Sequence, residues 1–133
     1  LLKTDQLIET DFTPVEMNRN LSELIKVIAS SKRNIFPVVN DKGLLQGVVY
    51  LDDVREIMFD KSKYDTSHIY TYMKPVPATV CCNEKMESVM KKFEYTDAWN
   101  LPVLDENGLY IGFVSKSKIF SAYREQLQQV SQE

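Results

Sequence analysis

The feature that most constrains this chain is an internal repeat. Residues 37–49 reappear as residues 102–114 without a gap, and six of the 13 aligned positions are identical. Every aligned pair is separated by 65 residues. A repeat of fixed period predicts that one structural unit occurs twice. Two units of about 65 residues would each be only marginally stable alone, so we expect them to pack together and to leave clefts in which ligands bind.

The repeat extends to two predicted helices. In both copies, apolar residues recur at intervals of three and four residues, as on one face of a helix. Asn20, followed three residues later by Glu23, is typical of a capped helix start. Asn83 and Glu84 are weaker start signals for the second helix. The matched apolar residues are Leu21, Leu24, Ile25 and Ile28 in the first copy and Met86, Val89, Met90 and Phe93 in the second.

Each of these helices is predicted to lie between strands. A short extended stretch precedes it, and an apolar strand containing Pro-Val follows it. A turn that ends in Gly43 or Gly108 then leads into another strand, which predicts a hairpin. Gly47 and Gly112 lie inside these last strands, where glycine often marks the close approach of another backbone or a ligand. Since a further helix follows each hairpin, each copy is predicted as strand, helix, strand, strand, helix.

The predicted boundaries are residues 12–59 for the first copy, 60–76 for a polar linker and 77–127 for the second copy. Residues 128–133 are expected to fray at the terminus. The first residue is leucine rather than methionine, so we expect the chain to be a piece of a longer protein. Apolar residues near the amino terminus are expected to form a partial helix that docks on the second copy. They are Leu1, Leu2, Leu7 and Ile8.

Composition argues against several classes of function. A net charge of −3 and a pI near 5.2 disfavour a nucleic-acid partner or an anionic membrane surface. Adjacent residues of a strand point to opposite faces, so Cys81 and Cys82 are poorly placed for a disulfide or a metal site. We expect both to be reduced thiols, and a redox role is the alternative. His68 is the single histidine, which disfavours a metal site. Without a nucleophile–base pair or a phosphate loop, no enzyme is predicted.

The two hairpins and the helix starts that follow them resemble CBS motifs. The segments are F-P-V-V-N-D-K-G-L-L-Q-G-V-V-Y-L-D-D-V in the first copy and L-P-V-L-D-E-N-G-L-Y-I-G-F-V-S-K-S-K-I in the second. Two such motifs in tandem resemble a CBS pair, or Bateman module. The resemblance implies an α+β fold in which two pseudo-twofold-related motifs, each β-α-β-β-α, pack sheet to sheet. It also implies a non-catalytic module that dimerises with a second copy and regulates a larger protein.

The resemblance further implies a ligand. CBS pairs commonly bind adenosine compounds, so AMP, ADP, ATP and S-adenosylmethionine are the candidates, with no obligatory cofactor and no metal. The family's ligand signature is a glycine, two apolar residues, Ser or Thr, two variable residues and Asp. The Asp carboxylate accepts hydrogen bonds from both ribose hydroxyls, and the Ser or Thr hydroxyl helps to hold a phosphate or ribose oxygen.

Each copy carries half of that signature. In the first copy Asp53 keeps the acid, whereas Tyr50 replaces the hydroxyl residue. In the second copy Ser115 keeps the hydroxyl, whereas Lys118 replaces the acid, and an ammonium group has no acceptor. If a single cleft is functional, we favour the one that contains Asp53. The candidate base-contacting residues are Thr13, Asn34, Ile35 and Phe36 in the first copy and Thr79, Trp99, Asn100 and Leu101 in the second.

Alternatives remain open for several of these residues. Asp53, or its neighbour Asp52, can serve merely as the N-cap of the following helix. Trp99 can stack on adenine or simply pack between a helix and a strand. The serines and lysines at 115–118, like Arg55, are either a solvated surface or contacts for the phosphates of an anionic ligand.

The parent protein is a separate expectation. The ending V-S-K-S-K-I-F-S-A-Y-R is similar to the carboxy-terminal cytosolic domain of bacterial CLC-type chloride channels and transporters. This resemblance implies a cytoplasmic module at the inner membrane, attached to a membrane channel domain. The alternatives are a magnesium transporter, a CBS-bearing enzyme, and a ligand-free dimerisation or scaffold module, which the half-signatures favour.

Overall fold

The computed structural model describes residues 4–132, so Leu1 and Leu2 of the expected docking helix lie outside the described residues. It forms two compact units. The first-copy unit comprises Asp11–Val76 together with Gly108–Tyr110. Within the described residues, the second-copy unit comprises residues 4–10, Pro77–Asn107 and residues 111–132. Each copy of the repeat contributes one three-stranded sheet.

The first copy has the predicted order of elements. β1 (Val15–Glu16) pairs in parallel with β2 (Ile35–Val39), which pairs antiparallel with β3 (Leu45–Tyr50). Because neighbouring parallel strands require a crossover connection, α1 (Leu21–Ser30) joins β1 to β2. A short helix, α2 (Leu51–Val54), follows β3.

The second copy repeats this order. β4 (Val80–Cys81) pairs in parallel with β5 (Asn100–Leu104), and β6 (Tyr110–Ser115) lies on the other side of β5. α3 (Met86–Thr96) joins β4 to β5, and α4 (Lys116–Gln132) follows β6. The prediction of an α+β fold with strand, helix, strand, strand, helix in each copy is therefore confirmed.

The apolar faces predicted for the connecting helices form one wall of each hydrophobic core. The buried residues are Leu21 and Leu24 in α1 and Met86, Val89 and Phe93 in α3. They belong to the same clusters as the middle residues of the central strands β2 and β5, which are buried as well. Burial of apolar surface contributes about 25 cal/mol per Å², so each unit is stabilised by a core of its own.

The two connecting helices begin differently. The Asn20 side chain accepts the backbone N–H of Glu23 at 3.2 Å, which confirms the predicted cap of α1. The start signals at Asn83 and Glu84 were wrong, because α3 follows Lys85, which makes no side-chain cap hydrogen bond. Glu84 is engaged elsewhere, with groups on both β4 and α3.

Two segments depart from the expected helix and linker. The helix predicted after β3 ends at Val54, and a 3₁₀ turn at Ile57–Phe59 continues the chain. The segment predicted as a polar linker fully buries Ile69, which packs in the core of the first-copy unit. At Ile69, tertiary packing therefore overrides the polar composition of the segment.

The terminal segments also differ in part from expectation. α4 continues to Gln132, so the expected fraying from residue 128 is not observed. The amino-terminal segment forms a 3₁₀ turn at Thr4–Leu7. Leu7 and Ile8 pack against the core of the second-copy unit, as predicted for these two residues.

Two short segments complete the edges of the sheets. The N–H of Glu9 donates to the carbonyl of Phe113 at 2.7 Å, and the N–H of Phe113 donates back at 2.9 Å. Lys74 exchanges the same two bonds with Val48, at 2.7 and 2.9 Å. We call residues 8–9 the first strap, which pairs with β6, and residues 73–74 the second strap, which pairs with β3.

Candidate functional site

The straps explain the glycines inside β3 and β6. A Cβ atom at Gly47 would lie 2.7 Å from the carbonyl oxygen of Lys74, and one at Gly112 would lie 2.6 Å from that of Glu9. Non-bonded Cβ atoms essentially never come that close to a backbone oxygen. The close approach predicted at both glycines is therefore the approach of a strap backbone.

In the first-copy unit, the second strap brings a cation to the predicted ribose-binding acid. Lys74 Nζ lies 2.8 Å from Asp53 Oδ2, and 33% of the Asp53 side chain is exposed. The N-cap of α2 is Tyr50, and it makes no side-chain cap hydrogen bond. The alternative in which Asp53 or Asp52 caps this helix is therefore wrong. Asp52 instead forms an ion pair with Arg55 at 2.7 Å.

The other first-copy residues of the predicted site are placed around the end of the β2–β3 hairpin. Ile35 lies opposite Tyr50 in the register of the two strands. The carbonyl of Asn34 accepts the N–H of Leu51 at 2.9 Å, where α2 begins. Thr13 is exposed, whereas Phe36 is completely buried in the core. The hairpin end thus brings Asn34, Ile35 and Tyr50 close to the start of α2.

The second-copy unit has the corresponding arrangement with the charges exchanged. Lys118 Nζ forms an ion pair with Glu9 Oε1 of the first strap. The Glu9 side chain is 13% exposed, so this carboxylate is more sheltered than that of Asp53. Ser115 Oγ accepts the backbone N–H of Lys118 at 3.2 Å, which places the signature hydroxyl beside the same lysine.

The remaining second-copy residues of the predicted site have different surroundings. Trp99 is 76% exposed, so the alternative in which it packs between helix and strand is wrong. Lys116 Nζ lies 5.4 Å from the centroid of its ring, within the range of a cation–π contact. Thr79 and Asn100 are partly buried, and Leu101 is completely buried in the core.

Glu9 and Lys74 are the site residues that sequence reasoning missed. They are 65 residues apart, and so are Asp53 and Lys118. The repeat period therefore relates one ion pair to the other, with acid and base exchanged. Extending the repeat alignment upstream of each copy would have paired Glu9 with Lys74 and drawn attention to both.

Each unit has a surface groove. In the first-copy unit, a groove of about 260 Å³ is lined by residues that include Val15, Val27 and Ile69, and none of its lining residues belongs to the predicted site. In the second-copy unit, an open groove of about 270 Å³ borders the first turns of α4. Its lining residues are Leu7, Ser117, Lys118, Ser121, Ala122 and Glu125.

Neither a redox site nor a metal site is supported by the described residues. Cys81 and Cys82 are not joined in a disulfide. Desolvation and the neighbouring Cys81 raise the pKa of the Cys82 thiol, which lowers the fraction of reactive thiolate. In the described part of the chain, no three His, Cys, Asp or Glu residues are grouped so that they could hold a metal ion. No helix within residues 4–132 has the length and hydropathy required to cross a membrane.

Comparison with known protein families and curated proteins identifies relatives. The model of the CBS domain family matches residues 5–60 and 68–125. A homoserine O-acetyltransferase from Methanococcus vannielii is 24% identical over 115 residues, which cover 86% of this chain and 23% of that protein. A CBS domain-containing protein from Dictyostelium discoideum is 25% identical over 124 residues, with 86% of each chain covered. The chain thus spans less than a quarter of the acetyltransferase.

Solved structures with the same fold include two nucleotide complexes. The cytosolic domain of the Mg²⁺ channel MgtE in complex with ATP matches with a TM-score of 0.69 and 21% identity, covering 87% of this chain and 46% of that one. CBSX2 from Arabidopsis thaliana in complex with AMP matches with a TM-score of 0.72 and 20% identity, covering 94% and 98%. Because the family model matches both copies of the repeat and these structures share the fold, the chain belongs to the CBS domain family and is a tandem pair of CBS domains.

Proposed function

We propose that this chain is a non-catalytic regulatory module that binds an adenosine nucleotide at Asp53. The observation that carries the proposal is the partly exposed Asp53 carboxylate, held 2.8 Å from Lys74 at the end of a CBS hairpin. An ionised carboxylate has about four lone-pair sites. Asp53 can therefore accept hydrogen bonds from a ribose diol while it remains beside the Lys74 ammonium.

The chemistry of this pair suits a phosphorylated ribose. A hydrogen bond to a charged acceptor contributes about 1.5–3 kcal/mol, so two ribose hydroxyls on Asp53 would supply a substantial part of micromolar affinity. The exposed Lys74 would then be available to a phosphate. The AMP and ATP complexes of the structurally similar CBSX2 and MgtE domains support this ligand class.

A ligand-free scaffold is the second candidate function. The observation that favours it is that Asp53 and Lys118 already have partners within the chain, Lys74 and Glu9 respectively. In addition, Tyr50 stands where the signature has a small hydroxyl residue. A scaffold would dimerise with a second copy and have no response to adenosine compounds.

The parent protein belongs to the same proposal. The sequence ending supports a chloride channel or transporter, and the similarity to the cytosolic domain of a Mg²⁺ channel supports the broader class of membrane transport proteins. The similarity to part of an acetyltransferase supports an enzyme parent instead. To regulate either kind of parent protein, the nucleotide must bind two conformations of the module with different affinity. A ligand that binds both conformations equally shifts no equilibrium between them.

A thermal-shift experiment tests the ligand proposal. The chain is heated with millimolar AMP, ADP, ATP or S-adenosylmethionine, beside the variants Asp53→Asn and Asp52→Asn. A ligand at 100 times its dissociation constant stabilises by about 2.7 kcal/mol, which raises Tm by several degrees. We expect a nucleotide to raise Tm in the wild type and in Asp52→Asn, and to raise it less in Asp53→Asn. No shift with any compound would favour the scaffold, whereas an equal shift in all three proteins would show binding that does not depend on Asp53 and would overturn its assigned role.

A further inference from the structure

The turn between β5 and β6 contains the pair Asn107-Gly108, and no other asparagine of the sequence precedes a glycine. Asparagine is among the chemically labile residues. The carbonyl carbon of its side chain can be attacked by the backbone nitrogen of the next residue. Glycine hinders that attack least, because it has no Cβ atom. The sequence of this turn is therefore the one in the chain best suited to deamidation.

The structure leaves both reacting groups of this pair accessible. Asn107 is exposed, and its side-chain amide makes no hydrogen bond with another described residue. Its backbone N–H donates to Asp105 Oδ1 at 2.8 Å, so the turn holds the main chain and leaves the side chain to rotate. The Gly108 N–H likewise makes no hydrogen bond within residues 4–132. This nitrogen therefore loses no hydrogen bond within that range when it gives up its proton.

The equivalent turn of the first copy is protected in both respects. The Gly43 N–H donates to the carbonyl of Asn40 at 3.0 Å, so the glycine nitrogen of this turn is engaged. The Asn40 side chain accepts the N–H groups of Lys42 and Leu44 at 2.9 and 3.0 Å, and it precedes an aspartate rather than a glycine. The two copies of the repeat therefore differ in the chemical stability of their turns.

We propose that Asn107 is a site of spontaneous deamidation. The backbone nitrogen of Gly108 loses its proton and forms a bond to Cγ of Asn107. The bond from Cγ to Nδ2 breaks, ammonia leaves with the proton, and a succinimide ring remains. Water then opens the ring, at Cγ to give aspartate or at the main-chain carbonyl carbon to give isoaspartate. Water is the only co-reactant, so the modification is independent of any ligand of the module.

Both products add a negative charge to this turn. Besides desolvation and the adjacent thiol, Glu106 and Asp105 raise the pKa of the Cys82 thiol, and a further carboxylate in the same turn should raise that pKa more. Isoaspartate also lengthens the turn, because the main chain then passes through Cγ. Since the turn fixes the register of a hairpin, we expect isoaspartate to weaken the β5–β6 hairpin and aspartate to leave it in place.

Peptide mapping by mass spectrometry tests the proposal during prolonged incubation of the 133-residue chain at neutral pH and physiological temperature. In heavy-oxygen water, each converted residue carries labelled oxygen, and enzymatic methylation detects isoaspartate. We expect Asn107 to be converted before every other asparagine. Gly108→Ala should slow the conversion severalfold, and Asn107→Gln should remove it, because the longer side chain cannot close the five-membered ring. Circular dichroism checks that each variant is folded, since Gly108 has a φ of 84° that strains alanine.

Two further variants separate the effect of the structure from that of the sequence. Lys42→Asn is the matched control, because it places an asparagine before a glycine in the first-copy turn, where the Gly43 N–H is hydrogen-bonded. We expect this asparagine to be converted more slowly than Asn107. Asn107→Asp supplies the aspartate product directly and should have the Tm of the fresh wild type. The aged wild type that contains isoaspartate should have a lower Tm.

Three results would count against these statements. Conversion of another asparagine before Asn107, or an unchanged rate in folded Gly108→Ala, would overturn the proposal. Conversion at position 42 as fast as at Asn107 would show that the sequence decides the rate, and would overturn the part assigned to the accessible Gly108 N–H. An isoaspartate form with the Tm of the fresh protein would overturn the stated effect on the hairpin.

Discussion

Glu84 joins strand β4 to helix α3 in the second-copy unit, and its replacement tests how the described contacts stabilise that unit. Its Oε1 accepts the N–H of Cys81 at 3.1 Å and Lys92 Nζ at 2.8 Å, and its Oε2 accepts the Ser88 hydroxyl at 2.5 Å. Lys92 also donates to the carbonyl of Thr79 at 2.6 Å. The side chains of Glu84 and Lys92 are 12% and 26% exposed, so water replaces these contacts poorly.

Two substitutions of Glu84 should lower the free energy of unfolding by different amounts. Glu84→Gln keeps the size of the side chain and one acceptor oxygen but loses the charge. Because a hydrogen bond to a charged group contributes about 1.5–3 kcal/mol, we expect a loss of about 2 kcal/mol. Glu84→Ala removes all three contacts and leaves the Lys92 ammonium with the Thr79 carbonyl, so we expect a loss of about 3 kcal/mol.

Lowering the pH should cause part of the same loss of stability as the Glu84 substitutions. Burial by itself raises the pKa of Glu84, but hydrogen bonds from Lys92, Ser88 and the Cys81 N–H, with the charge of Lys92, outweigh it and hold the pKa below its ordinary value of 4.5. A carboxyl group with a lowered folded-state pKa contributes stability that is fully present above the unfolded value. That contribution is lost as the pH falls from 4.5 through the folded-state pKa. Glu84→Gln has no carboxyl group at this position, so its stability should not show this pH-dependent loss.

Urea denaturation followed by circular dichroism, at pH 7 and at steps down to about pH 3, measures both effects. Glu87→Gln is the matched control, because Glu87 is an exposed acid in the first turn of the same helix. Its effect should remain within about 0.5 kcal/mol. If Glu84→Gln were as stable as the control at pH 7, or lost stability with acid as steeply as the wild type, our account of these contacts would be refuted.

Two other substitutions test the strap and the helix cap. Gly47→Ala places a Cβ 2.7 Å from the Lys74 carbonyl oxygen and should lower the free energy of unfolding by about 1–3 kcal/mol. An unchanged Tm would mean that the second strap does not lie against β3. Asn20→Ala removes the acceptor of the Glu23 N–H and should lower the free energy of unfolding by about 1 kcal/mol. Lys85→Ala, at the equivalent position of the second copy, should change the free energy of unfolding little, because Lys85 makes no side-chain cap hydrogen bond. Equal shifts of the urea midpoint for these two variants would contradict the assigned caps.

The order of helices and strands could be predicted from the sequence because each hydrophobic pattern occurs in both copies of the repeat. The spacing of Leu21 and Leu24 recurs at Met86 and Val89, and all four residues are buried. The start of α3 was missed because Glu84 is engaged by Lys92, eight residues further along the chain. Local spacing reveals capping patterns, but it does not reveal a competing partner from the next turns of a helix.

The candidate site could be predicted in part. The signature points to Asp53 and to the position of Lys118, but their ion-pair partners, Lys74 and Glu9, come from the straps, which are distant in sequence from the residues they contact. The exposure of Trp99 was not predictable either, since a tryptophan between helix and strand is usually packed. Its ring is instead accompanied by the Lys116 ammonium, a contact that depends on where α4 begins.

The lengths of the loops that the two straps close predict that they pair at different times during synthesis. Lys74 follows Val48 by roughly 25 residues, whereas Glu9 precedes Phe113 by roughly 100. Because the amino-terminal part of a chain folds first as it is made, the second strap can pair with β3 while β6 is still unmade. The first strap must wait for its strand, and its pairing closes the longer loop. A chain shortened by its first ten residues would retain the first sheet complete and leave the β6 edge open to other chains.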